Sequence, residues 1–203
     1  MIVQSKRKTN DPERTRKRIL SAAAALFTER GYAGTSLGDV ANAASVQKSL
    51  ITYHYESKER LWSETCNSLA QPMLDLAESM VSGTTKLDLV ELLERRFRLL
   101  QDSPQLRKLI LWMGMGQAPV PTGPSEVIPK ILESFCSTIQ SQPDDLRRTF
   151  MLIVAAMDGW FLHRRALATI AAPGADPNEL DEAFLAYLLK IARDEVTILR
   201  ETQ

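Results

Sequence analysis

The stretch GTSLG, Gly34 to Gly38, has the G-x-S-x-G spacing by which hydrolases raise a serine nucleophile on a sharp turn. That turn works only between a β-strand and a helix, with a histidine and an acid elsewhere to activate the serine. The residues before Gly34 read RILSAAAALFTERGYA, and the four alanines Ala22 to Ala25 favour helix and give a strand little to pack with. A helix therefore leads into the motif, and Ser36 or Thr35 is expected to cap the next one. Asp39, three residues after Ser36, completes a capping-box spacing. Other chemistry is equally poorly supplied. The chain has two histidines, and three residues before each stands Ile51 or Trp160, so the Glu-x-x-His pairs of a di-iron bundle are missing. Cys66 and Cys136 form no C-x-x-C pair, which argues against a zinc site or a disulfide scaffold and suits a reducing cytoplasm. No catalytic residue, metal or cofactor is expected.

The elements around this motif follow from composition and periodicity. Of 203 residues, 44% are apolar and 25% charged, ordinary for a globular chain large enough to bury real cores. No run approaches the roughly 18 apolar residues of a membrane helix, and no apolar signal core follows the basic N-terminus, so a soluble cytoplasmic protein with no membrane partner is expected. The net charge of zero hides a division. Residues 1–60 hold eleven Lys/Arg against six Asp/Glu, so a basic end is joined to an acidic body, an arrangement that suits a polyanionic partner.

The spacing predicts a first helix with Asp11 as cap, Pro12 at its first position, Gly31 at its end and Ile19, Ala23, Leu26 and Phe27 on one face. A short helix around Val40, Ala41 and Ala44 follows, then a corner at Ser45 and a second short helix with Leu50 and Ile51 turned back. This is a helix-turn-helix layout, in which the second helix enters a DNA major groove. Gln47, Lys48, Ser49 and Thr52 face outward, able to meet base edges. Tyr53, His54 and Lys58 are placed to meet phosphates, and Ser57 to cap a fourth helix. On pattern alone, two short helices around a tight turn also suit proteins that never touch DNA.

The stretch RILSAAAALFTERGYAGTSLGDVANAASVQKSLITYHYESKERLW, about residues 18–62, resembles the N-terminal domain of TetR-family transcriptional regulators. That family's pattern runs I-L-x-A-A-x-x-L-F-x-x-x-G-Y-x-x-T-S, then x-x-x-I-A-x-x-A-G-V-S, then Y-x-H-F and S-K-E-x-L. The resemblance implies an all-α chain of about nine helices. Residues 1–57 would form an N-terminal arm and helix-turn-helix head, and 58–203 a helical effector-binding and dimerisation body. It implies a non-enzymatic, ligand-responsive regulator, most simply a repressor. Its partners would be a near-palindromic double-stranded DNA operator, a second copy of itself and an unidentified small-molecule effector. Base contacts would come from Gln47, Lys48, Ser49 and Thr52, with phosphate contacts from Tyr53, His54, Lys58 and the cap at Thr35 or Ser36. Three positions depart from the pattern: Ser45 replaces the corner glycine, Thr52 a frequent tyrosine, and Tyr55 the usual phenylalanine.

In the body, helices are expected near 58–81, interrupted or bent at Pro72, and near 86–101, 104–115, 126–140, 144–171 and 177–200, with GQAPVPTGPS (116–125) as a loop. Phe97, Trp112, Met113, Met115 and Phe135 are candidate walls of a ligand pocket, though such residues at helical spacing are more often plain core. The last two helices suit half of a four-helix dimer interface built on Ala155, Gly159, Trp160, Phe184 and Leu188, because the middle of the first is apolar nearly all round. A monomeric core built around that helix is the alternative.

Overall fold

The computed structural model describes residues 11–85, 88–139 and 143–201, and among them it contains nine helices and no strand. Local signals set the first four. In α1 (Pro12–Arg30) the Asp11 carboxylate accepts from the backbone N–H groups of Glu13 and Arg14, and Gly31 closes the helix at φ +72°. In α2 (Leu37–Ala43) the Ser36 and Asp39 side chains cap each other's backbone reciprocally. Ser45 then turns the chain at φ +51°, the left-handed conformation expected where a glycine was replaced. The second short helix, α3 (Lys48–Tyr55), has Gln47 at its N-cap, and Ser57 caps α4 (Lys58–Val81).

Pro72 does not interrupt α4, which runs through it. Pro72 lies on the exposed side, where water can satisfy the carbonyl that loses its N–H partner. The body continues with α5 (Leu89–Asp102), α6 (Pro104–Gly114), α7 (Thr122–Ile139), α8 (Pro143–Ala171) and α9 (Pro177–Glu201). The start of α7 lies four residues before its expected place. Gly123 and Pro124 fall in its first turn, where a proline's missing N–H costs nothing. Among the described residues no helix is long and apolar enough to cross a membrane.

Three buried clusters organise the chain. The first joins α1, α2, α3, α4 and α6 around Ile19, Phe27, Val40, Ile51 and Trp62, with the Trp62 ring edge-on to Phe27. A larger one joins α5, α7, α8 and α9 around Leu93, Phe97, Leu146 and Met157, and a small one links α4, α5 and α7 through Ala77, Leu92 and Ile131. α4 and α6 therefore hold the N-terminal helices to the rest. Trp62 Nε1 donates to the Pro119 carbonyl at 2.8 Å, and the Ser63 and Thr122 hydroxyls lie 3.0 Å apart, so α4 is also tied to the start of α7.

Candidate nucleic-acid interface and inner chamber

The two faces of α3 are sharply different. Ile51 and Tyr55 are buried against α1 and α4. On the other side Lys48, Ser49, Thr52 and Tyr53 are exposed at i, i+1, i+4 and i+5, one face of an α-helix, with Gln47 exposed at its N-terminus. Tyr53 is 81% exposed, and His54, half-buried, stands edge-on to it at 5.3 Å. Thr52 spends its hydroxyl on the Lys48 carbonyl at 3.3 Å.

Nearby groups fix the pose of this helix. Arg18 of α1 donates to the Ala44 carbonyl and, at 3.2 Å, to the Ser45 carbonyl, holding the corner itself. Arg16 reaches Glu64 of α4 at 2.6 Å. Two of the cations that make the N-terminal segment basic are thus engaged internally, and the spacing of RTRKR gave no sign of which. Lys58 lies over the Tyr32 ring at 4.3 Å, and the Tyr32 hydroxyl donates to Glu59 at 2.5 Å. Burial, then this bond, raises the Tyr32 phenol to about 12, while the same bond holds the Glu59 carboxyl below its usual range.

Ser36 and Thr35 do different things. The Ser36 hydroxyl donates to Asp39 at 2.6 Å and accepts the Asp39 N–H at 3.1 Å; it is a cap, and its bonds hold the Asp39 carboxyl below the usual range. Thr35 is buried, and its hydroxyl donates inward to the Gly31 carbonyl at 2.9 Å, away from any ligand outside.

A chamber of about 310 Å³ lies between α4, α5, α6, α7 and α8, walled by aliphatic side chains such as Leu74, Leu92, Leu106, Ile110 and Val127. Its charged lining residues are Arg96 and Asp158, which pair with each other at 2.6 Å. Of the residues proposed as pocket walls, Met113 lines it. Phe97 is fully buried against Phe161 and Phe184, and Phe135 packs between two core clusters. Trp112 packs toward α1 against Gly31, and Met115, exposed, lines a separate outward-facing cleft between α6 and α8.

The proposed dimer residues divide likewise. Ala155 is exposed and Gly159 half-exposed, with open space beside its Cα. Trp160 and Phe184 stack on each other at 4.3 Å, the Trp160 indole donates to buried Asp181, and Leu188 is core. Those three turn inward. The outer side of α8 instead carries Met151, Leu152, Leu162 and Ile170, and α9 adds Tyr187.

The family model of TetR-family bacterial regulatory proteins matches residues 19–65. The HTH-type transcriptional repressor SCO4008 of Streptomyces coelicolor is 34% identical over 113 residues, covering 55% of this chain and 56% of that one. The HTH-type transcriptional regulator AcrR of Shigella flexneri is 42% identical over 59 residues, covering 29% of this chain and 27% of that one. The chain thus spans about half the length, or less, of these curated relatives. Among solved structures, NalD of Pseudomonas aeruginosa, the secondary repressor of the MexAB-OprM multidrug efflux pump, superposes with a TM-score of 0.61 at 22% identity. That match covers 89% of this chain and 96% of NalD and carries the fold across both halves. A capped helix-turn-helix with its second helix open to solvent and the sequence match over it agree: residues 19–65 are similar to the N-terminal domain of TetR-family bacterial regulatory proteins, and the chain shares its all-helical fold with NalD.

Proposed function

We propose that this chain is a DNA-binding transcriptional repressor, not an enzyme, that releases a near-palindromic operator when a small molecule fills the inner chamber. Residues 1–57 act as the reading head and 58–203 as the sensing and dimerising body. The observation that carries this reading is α3, anchored by Ile51 and Tyr55 while Lys48, Ser49, Thr52 and Tyr53 stand free in solvent. Donors and acceptors presented along one helix face match the code at base edges in the major groove. The repressor SCO4008, similar to this chain over 113 residues, supports the direction of control.

Two heads are needed, because successive major grooves recur about 34–36 Å apart and one head reads only half a site. The exposed apolar side of α8, with Tyr187 of α9, is the surface through which a second copy would join. Coupling would run through α6. Leu106, Ile110 and Met113 wall the chamber, while Leu109 and Trp112 on the same helix pack against the head. A ligand that shifts α6 would change the pose of the head, and by reciprocity operator DNA would weaken ligand binding by the same factor.

The test is binding of the full chain to duplex DNA from upstream of its own gene, followed by fluorescence anisotropy. Affinity should fall steeply as salt rises. Gln47→Ala and Lys48→Ala should erode discrimination between sequences, whereas Lys58→Ala and His54→Ala should weaken binding to all duplexes about equally. Identical behaviour of the two sets would show that α3 is not the reading helix.

A further inference from the structure

Between α6 and α8 the body has a second opening of about 610 Å³, facing outward. Its walls carry Arg107 and Lys108 from α6, Arg164 and Arg165 from α8, and one acid, Asp158. Two of these charges are already neutralised, since Asp158 holds Arg96 and Arg164 is paired with buried Asp181. Arg107, Lys108 and Arg165 make no ion pair among the described residues, which leaves three uncompensated cations around one cleft.

Arg107 is the least comfortable of them. Half-buried, it donates to the carbonyls of Leu100 and Gln101 and lies over the Phe161 ring at 5.3 Å, where Arg164 sits at the same distance. Burial first, then the neighbouring Arg164 charge, pulls its pKa below the ordinary arginine value, with Asp181 opposing. A partly desolvated cation whose neighbouring acid, Asp181, is already held by Arg164 and Trp160 gains from an added anion. The remaining lining is apolar, chiefly Leu111, Phe161 and Leu162. Leu100, Ile110 and Asp158 line both this cleft and the inner chamber, so the two spaces share a wall.

We propose that the cleft seats the anionic head of an amphipathic organic acid, whose apolar tail lies along Leu100 and Ile110 toward the inner chamber. The guanidinium fork of Arg107 supplies bidentate recognition of the head, and Lys108 and Arg165 supply charge at the mouth. The Arg96–Asp158 pair stays closed, so the single acid in the wall does not repel the ligand in full. Only the consequence for DNA rests on the repressor reading given above; the binding step does not.

The experiment is isothermal titration calorimetry of the full chain without DNA, against decanoate, decanol and decyltrimethylammonium below their micelle concentrations. Decanoate should bind at least about tenfold more tightly than decanol, the worth of one charge-assisted pair, with the cation weakest. Arg107→Gln should remove that preference. The exposed double variant Lys108→Gln/Arg165→Gln, which has no packing to lose, should reduce it while circular dichroism stays unchanged. Equal binding of decanoate and decanol, binding of neither, or a selectivity untouched by both variants overturns the proposal. Anion-selective binding that fails to release upstream DNA upholds the cleft and instead removes the effector role of the chamber.

Discussion

Ser45 occupies the corner between α2 and α3 with φ +51°, a conformation that costs a side-chain-bearing residue roughly 1 kcal/mol. Arg18 holds it there from the neighbouring helix through two backbone carbonyls. Ser45→Gly should therefore stabilise the chain, but by only about 0.5 kcal/mol, because glycine also loosens the unfolded state. Arg18→Ala should cost about 1–2 kcal/mol, the worth of charge-assisted bonds to that turn. Urea unfolding midpoints check both. At the other end of α2, Ser36→Ala should cost about 1 kcal/mol, the usual price of an N-cap. That loss should depend on pH. Asp39 is held below the usual carboxylate range by Ser36, so its share of the cap is present above that range and disappears as pH falls through the lowered value. The gap between wild type and Ser36→Ala should narrow in acid, as unfolding curves at neutral and acidic pH would reveal. Caps such as Ser36 were legible in the sequence because their partner lies three residues away. The inward turn of Thr35 and the internal duty of Arg18 were not, since their partners belong to other elements.

Among the elements, the joint between α1 and α6 is where a small change should matter most. Gly31 sits at φ +72° and ψ 175°, a region essentially open only to glycine, and a Cβ there would lie 3.0 Å from the Trp112 ring. Gly31→Ala should cost more than about 2 kcal/mol, combining backbone strain with the collision. Gly83, with similar φ but open space around it, should lose less on the same substitution. Thermal unfolding of the two variants side by side checks that order. Most helix limits were readable, because capping residues and glycines are local signals; α7 was mistimed because Gly123 and Pro124 resemble a loop until their place in a first turn is known. The chamber was much less legible. Leucines and valines that line an empty space have the same periodicity as those that fill a core, so Met113 lines it while Phe97 and Phe135 do not. Only the folded arrangement distinguishes them.

For the whole molecule, the proposed pairing raises the question of which side of α8 would meet a second copy. Its middle is apolar nearly all round, so the sequence could not say; burial in the chain takes Trp160 inward to Asp181 and Phe184, and leaves Leu152 and Ile170 outside, 67% and 80% exposed. Large apolar side chains exposed in a row along one helix mark an interaction surface more often than a solvated one. Leu152→Glu tests that placement with little risk to the fold, because the side chain is already mostly in water. In a two-fold interface the substitution occurs twice and is buried twice, and an unpaired buried carboxylate is strongly unfavourable. Sedimentation equilibrium should then show the dimer weakened by well over about tenfold, with thermal stability of the separated chain nearly unchanged. Operator affinity should fall with it, since each freed head reads only half of the site. A Leu152→Glu protein that stays dimeric at the same concentration would place the interface elsewhere, and with it the geometry by which two α3 helices reach one operator.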